Sequence, residues 1–227
     1  MRFSRLAPFL LFFLSTEFAY AKPYFETAFI SAKALTGALK EGSKEQKKEI
    51  EHVLKIQKKI DFDEVDEAFE ERNLKAEMVA QFVDASLTRK RNPKTYYLLE
   101  RASVTVWAAN TSIKKYWLER RPFQVDSRIW LLIPGSKSSS YPSSHTSKSY
   151  VWAMVLGEIF PQKKDQFLQR AQEIAQHRIL VGLHFQRDIE GGKQLAKLVF
   201  EALQRDEIFL ADLKKAKAEN LNSRMSR

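Results

Sequence analysis

Two histidines stand among residues that could handle an anion. His145 lies in the run Tyr141-Pro142-Ser143-Ser144-His145-Thr146, a loop entering a helix. Backbone N–H groups at a helix start favour an anion, and Ser143 adds a hydroxyl donor. A histidine at that edge could protonate a leaving group; a helix cap or a solvent-facing ring explains the segment equally well. His184 precedes Asp188 by four positions, so on a helix the two share a face. The carboxylate would accept the Nδ1 proton, fix the tautomer and leave Nε2 as nucleophile or base. An ordinary helix-face pair reads the same. Lys114 and Arg121, the latter followed by Pro122, are seven apart, two turns along one helix. Their heads could meet at one spot, although in a lysine-rich chain a solvated basic face is the usual outcome.

The ordered set says more than its pieces. Lys114-x6-Arg121-Pro122, then Pro142-Ser143-Ser144-His145, then Arg178-x5-His184-x3-Asp188 resembles the type 2 phosphatidic acid phosphatase (PAP2) superfamily, and more closely the class A bacterial non-specific acid phosphatases. The likeness extends through Asp61-Phe62 to Ala68-Phe69, Pro161-Gln162 and the run from Lys214 to Glu219, over residues 60–219.

The resemblance implies hydrolysis of broad organic phosphate monoesters through a phosphohistidine. In it, His184 is the nucleophile, His145 the proton donor and Asp188 the residue that holds His184. Lys114, Arg121, Ser143, Ser144 and Arg178 bind phosphate. It implies no metal and no cofactor, small phosphorylated substrates, and vanadate or phosphate as inhibitors; a homo-oligomer stays open. Three positions depart from the family pattern: Ser144 replaces a glycine, His177 a serine, and Arg187 a small polar residue. His177 is expected to face away from the site, and Arg187 could pair with Asp188. Three alternatives compete. They are a vanadate-dependent haloperoxidase, a lipid-phosphate phosphatase, and a non-catalytic phosphate- or nucleic-acid-binding protein.

The elements that must position these residues read as helices. Apolar residues recur at helical spacing over 44–60, and the pattern continues over 63–71 and 75–90. Asn92-Pro93 breaks it. Residues 95–120 read as one long helix with Tyr97, Leu98, Arg101, Ala102, Thr105, Ala108 and Ala109 inward, stopped by Pro122. The Ser- and Pro-rich stretch 123–143 reads as a long loop. Further helices are expected over 146–159, 162–181, 184–204 and 206–219. The fold class is all-α: one helical bundle of the PAP2/acid phosphatase type over 22–227, with the loop over the active site.

Composition agrees. The chain has 227 residues with 44% hydrophobic content, enough for one domain with a sizeable core. It has no cysteine, which excludes disulfides, a thiolate nucleophile and a Cys-based zinc site. The net charge of +10 favours anionic partners without choosing among them. Residues 1–21 read as a signal peptide: Arg2 and Arg5, an apolar run over 6–14, and Ala19-Tyr20-Ala21 as the cleavage signal. That run is too short to span a bilayer. The expectation is a periplasmic protein with no membrane span in the mature form.

Overall fold

The computed structural model describes residues 22–225; the signal peptide expected over 1–21 lies outside them. Every regular element among the described residues is helical. Helix α1 (Lys44–Gln57) is capped by Ser43, whose hydroxyl accepts from Gln46 N. Helix α2 (Phe62–Glu70) is capped by Asp61 and runs into a 3-10 turn, Glu71–Asn73. Then follow α3 (Glu77–Val83), α4 (Pro93–Trp117), the short α5 (Pro122–Val125), α6 (Ser144–Ile159), α7 (Lys164–Leu180), α8 (Gln186–Leu203) and α9 (Glu207–Met225).

Helix α6 is the hub. Val151, Trp152, Ala153, Val155, Leu156 and Ile159 are buried on successive faces, as expected of a helix that is apolar all round. It packs against α7, α8, α4, α3 and α9. Helix α8 is amphipathic instead and turns Ile189, Leu195, Ala196, Val199 and Leu203 inward. No helix among the described residues is long and apolar enough to cross a membrane.

Several boundaries differ from the sequence reading. The long helix ends at Trp117, three residues early, because Leu118 turns left-handed at φ 48°. Its inward face is also rotated: Tyr96 is buried, whereas Tyr97 is 49% exposed. The helix expected over 75–90 stops at Val83, where Asp84 leaves helical geometry and its carboxylate accepts from Ser86 N. Such a side-chain turn competes with helix continuation.

The segment 123–143 is a wall rather than a loose flap. Leu132 N donates to Val181 O, Ser140 N to Glu119 O, and Ser143 N to Asp188 O. Gln57 clamps Trp130 through both its amide atoms. Tyr141, Ser140 and Ser143 are fully buried. Paired glycines in α8 let this wall approach. A Cβ on Gly191 would lie 2.4 Å from the Tyr141 ring, and one on Gly192 2.8 Å from Ser143 O. Gly191→Ala must therefore push Tyr141 outward. Overpacking of that kind costs about 1–3 kcal/mol, so the urea midpoint should fall with an unchanged slope; wild-type stability would show that the wall yields.

Candidate active site

Helix α7 ends in a turn that sets two site residues against each other. Gly182 takes φ 78°, where a Cβ would sit 2.3 Å from Trp130 O, so the turn is closed to other side chains. Leu183 N and His184 N both donate to Arg178 O. His184 thus lies in the turn before α8, not on the helix as expected. Its partnership with Asp188 survives by another route. Asp188 is the third residue of α8, and its Oδ2 accepts from Phe185 N at 2.9 Å, capping the helix start. The same oxygen lies 3.1 Å from His184 Nδ1. It also accepts from Ser140 Oγ at 2.5 Å. His184 therefore carries its proton on Nδ1 and a lone pair on Nε2.

Lys114 and Arg121 do converge, but not along one helix face, because the chain leaves helical geometry at Leu118 between them. Lys114 Nζ donates to Ser139 O and, at 3.1 Å, to Ser140 O. Arg121 is the N-cap of α5. Its Nε donates to Ser138 O at 3.2 Å and its Nη1 to Leu183 O at 2.9 Å. Nη1 also donates to His184 Nε2 at 3.1 Å. Ser143 caps α6 by accepting from Thr146 N. Ser144 turns its hydroxyl to Asn110 Oδ1, 2.7 Å away. Arg187 donates to Thr36 O and Gly37 O instead of pairing with Asp188.

Arg178 is fully buried. Its Nη2 donates to Ala68 O at 2.9 Å and to Glu71 Oε2 at 2.8 Å. Its Nε and Nη1 have no protein partner. Glu71 was not singled out by sequence, yet it joins both halves of the site. Its carboxylate also accepts from Arg170 Nη2 at 2.9 Å and lies 3.0 Å from His177 Nδ1. Its backbone oxygen is 3.1 Å from His145 Nε2. A carbonyl only accepts, so His145 carries a proton on Nε2 and has Nδ1 free. His177 does not face away: it is buried one carboxylate from Arg178. Ser140 was also missed, since it shares its sequence run with several other serines. Glu67, Glu71 and His177 have ligand-type atoms within 4.8 Å of one another, but Arg170 and Arg178 already occupy these carboxylates.

Burial holds both ring systems neutral. His184 lies well below the ordinary histidine range, through burial first and then Arg121, Lys114 and Arg178. His145 is likewise depressed by burial, Arg178, His184 and Lys148. Burial also lowers Lys114 to about 7, and it raises Asp188 to about 6 despite the hydrogen bonds from Ser140 and Phe185. The arrangement offers a neutral imidazole oriented by a carboxylate, a second imidazole, and the Arg121 and Arg178 guanidiniums with the Lys114 amine around them.

Residues 96–202 match the PAP2 superfamily. A non-specific acid phosphatase of Salmonella typhi is 29% identical over 162 residues, covering 67% of this chain and 65% of that protein. A non-specific acid phosphatase of Providencia stuartii is 38% identical over 37% of this chain and 34% of its own length. An acid phosphatase of Zymomonas mobilis is 31% identical over 59% and 52%. The chain thus matches less than two thirds of the length of these relatives. Among solved structures, one described as the first bacterial vanadium-dependent iodoperoxidase superposes with a TM-score of 0.50 at 18% identity. It covers 79% of this chain and 52% of that one, and the likeness is one of fold.

The depressed histidines link stability to pH. Below about pH 6.5 the unfolded chain takes up two protons that the native rings refuse. Stability then falls with acidification by up to about 1.4 kcal/mol per pH unit for each ring. Asp188 opposes this from about pH 6 downward, because its folded carboxyl protonates before its unfolded one. Glu119, raised by burial to about 9, opposes it over the whole range, so the rings are read from the difference between wild type and a ring variant. Between pH 7 and 5 the urea midpoint of wild type should fall relative to that of His145→Asn. A difference between the two midpoints that stays constant from pH 7 to 5 would show the His145 ring protonating freely.

Proposed function

We propose that this chain, a member of the PAP2 superfamily, hydrolyses phosphate monoesters through a phosphohistidine. The observation that carries the reading is Arg178. Its guanidinium is fully buried, and two of its three nitrogens lack a protein partner beside a carboxylate-oriented imidazole. A buried cation of this kind is costly unless an anion with several oxygens meets it. A phosphoryl group supplies those oxygens. The acid phosphatase relatives support the same chemistry.

The residues then divide the work. Arg178, Arg121 and Lys114 stabilise charge on the phosphoryl oxygens, usually the largest contribution to such reactions. Ser143 and the Ser144 amide add donors at the start of α6. Arg121 must turn from His184 Nε2 toward the phosphate, which frees the lone pair for attack. Nε2 bonds to phosphorus as the ester P–O bond breaks, and the departing alcohol takes a proton from His145. The Nε2–H of His145 is committed to Glu71 O, so the proton leaves from Nδ1. Water then attacks the phosphohistidine and gives a proton back to His145 Nδ1 as the P–N bond breaks. Asp188 holds His184 throughout. The negatively charged substrate raises the depressed His145 toward its protonated form. Phosphate and vanadate, which offer the same oxygens, act as inhibitors.

His184→Ala should reduce phosphate release to background; retained turnover rules out the nucleophile. His145→Ala should slow alkyl phosphates by about 10²–10⁴-fold and nitrophenyl phosphate far less. Equal losses on both would refute proton donation by this ring.

We place the enzyme in the periplasm, delivered by residues 1–21. Protein recovered from a periplasmic fraction should begin at Lys22, and an intact N-terminus there would overturn the signal-peptide reading.

A further inference from the structure

We propose that Asn110 is a positioning residue of this site: it draws the Ser144 hydroxyl away from the phosphate, so that Ser144 meets the anion with its backbone amide alone. The inference rests on the phosphatase reading above and deepens it at a residue of α4 to which that mechanism gives no part.

Two serines open α6, and their hydroxyls are committed in opposite ways. Ser143 Oγ accepts from Thr146 N, and among the described residues nothing takes its proton. That proton stays available to a phosphoryl oxygen. Ser144 Oγ instead donates to Asn110 Oδ1 at 2.7 Å. Asn110 is 1% exposed, and its amide has a single consistent orientation. Ser147 Oγ donates to Ser144 O at 3.2 Å. It can therefore only accept from Asn110, whose Nδ2 lies 3.1 Å away. Oδ1 is thus turned to Ser144 and receives its hydroxyl proton. Val106 and Ile113 flank Asn110 on the same face of α4 and are buried. A polar side chain in such a contact is costly unless it is bonded, and this one is bonded to a residue of the phosphate cradle. One helical turn further along α4, Lys114 reaches the same site.

A hydroxyl released at position 144 would bond phosphate in substrate, transition state and product alike. Such uniform binding lowers KM without raising kcat, and here it would also hold the phosphate that must leave. Ser144 is only half-buried, so a released hydroxyl has room to turn. Asn110 removes that contact and keeps the amide in place.

Asn110→Leu keeps the approximate size of the side chain and removes its hydrogen bonds. The Kd of inorganic phosphate, measured by calorimetry, should fall about tenfold in this variant, the effect of one added hydrogen bond to a charged oxygen. KM for nitrophenyl phosphate should fall with it, and kcat should not rise. Adding Ser144→Ala should return the phosphate Kd to within about twofold of wild type. A merely structural role predicts the reverse: a loosened contact between α4 and α6 weakens phosphate binding, and removing a second side chain does not repair it. Unchanged or weaker phosphate binding in Asn110→Leu would therefore overturn the proposal, as would a tightening that survives Ser144→Ala. Asn110→Ala carries the same expectation and serves in place of a leucine variant that does not fold. Phosphate binding is read without turnover. Wild type that binds phosphate but leaves nitrophenyl phosphate intact would sink the phosphatase reading, and the Kd comparison would still decide the role of Asn110. Wild type that binds no phosphate would sink both.

Discussion

One carboxylate oxygen, Oδ2 of Asp188, ties together the three segments that form the centre of this protein. It caps α8 through Phe185 N, accepts a hydrogen bond from the Ser140 hydroxyl and faces Nδ1 of His184. The backbone oxygen of the same residue accepts from Ser143 N, which starts α6. Asp188 is fully buried, and a carboxylate in that position needs its bonds because the interior solvates it poorly. Each group it holds is therefore held firmly. The histidine ring keeps one tautomer, the wall 138–143 keeps its register against α8, and the glycines at 191 and 192 make room for that contact.

A second buried carboxylate, Glu71, organises the other half. Arg170, His177 and Arg178 surround it, all with little or no exposure. Breaking one member of such a cluster leaves a buried charge unmatched, which is far costlier than the worth of a surface pair. The cluster fixes Arg178 through one nitrogen and leaves the other two without a protein partner. It also explains why His177 is accommodated: the ring has a carboxylate to bond and belongs to the support of Arg178. The backbone of the same glutamate orients His145, so one residue of a short 3-10 turn holds both the Arg178 guanidinium and an imidazole tautomer.

Much of this was legible in the chain. The ordered motifs marked Lys114, Arg121, Ser143, Ser144, His145, Arg178, His184 and Asp188 as a set, and the structure gathers them around the start of α6 and the end of α7. Helical periodicity identified the all-α class, because an apolar stripe at 3.6-residue spacing depends only on neighbours along the sequence. Structure and sequence pattern part where the chain turns inside a helical pattern. Spacing alone puts Lys114 and Arg121 on one helix, and His184 and Asp188 on another. In the structure Leu118 and Gly182 reverse the chain between or before them, and the pairs meet through turns and a cap.

Glu71 and Ser140 show what lay beyond the sequence. Glu71 lies 107 positions from Arg178 and Ser140 48 from Asp188. Nothing in their immediate neighbours sets these two apart from the other glutamates and serines. Residue types and their order determined the helical class, the two histidines and the cations that accompany them. Only tertiary packing decided which carboxylate faces each of them, which ring nitrogen carries the proton and which guanidinium nitrogens stay free. Those choices depend on burial and on partners brought together from distant parts of the chain, and neither is a property of any local stretch of sequence.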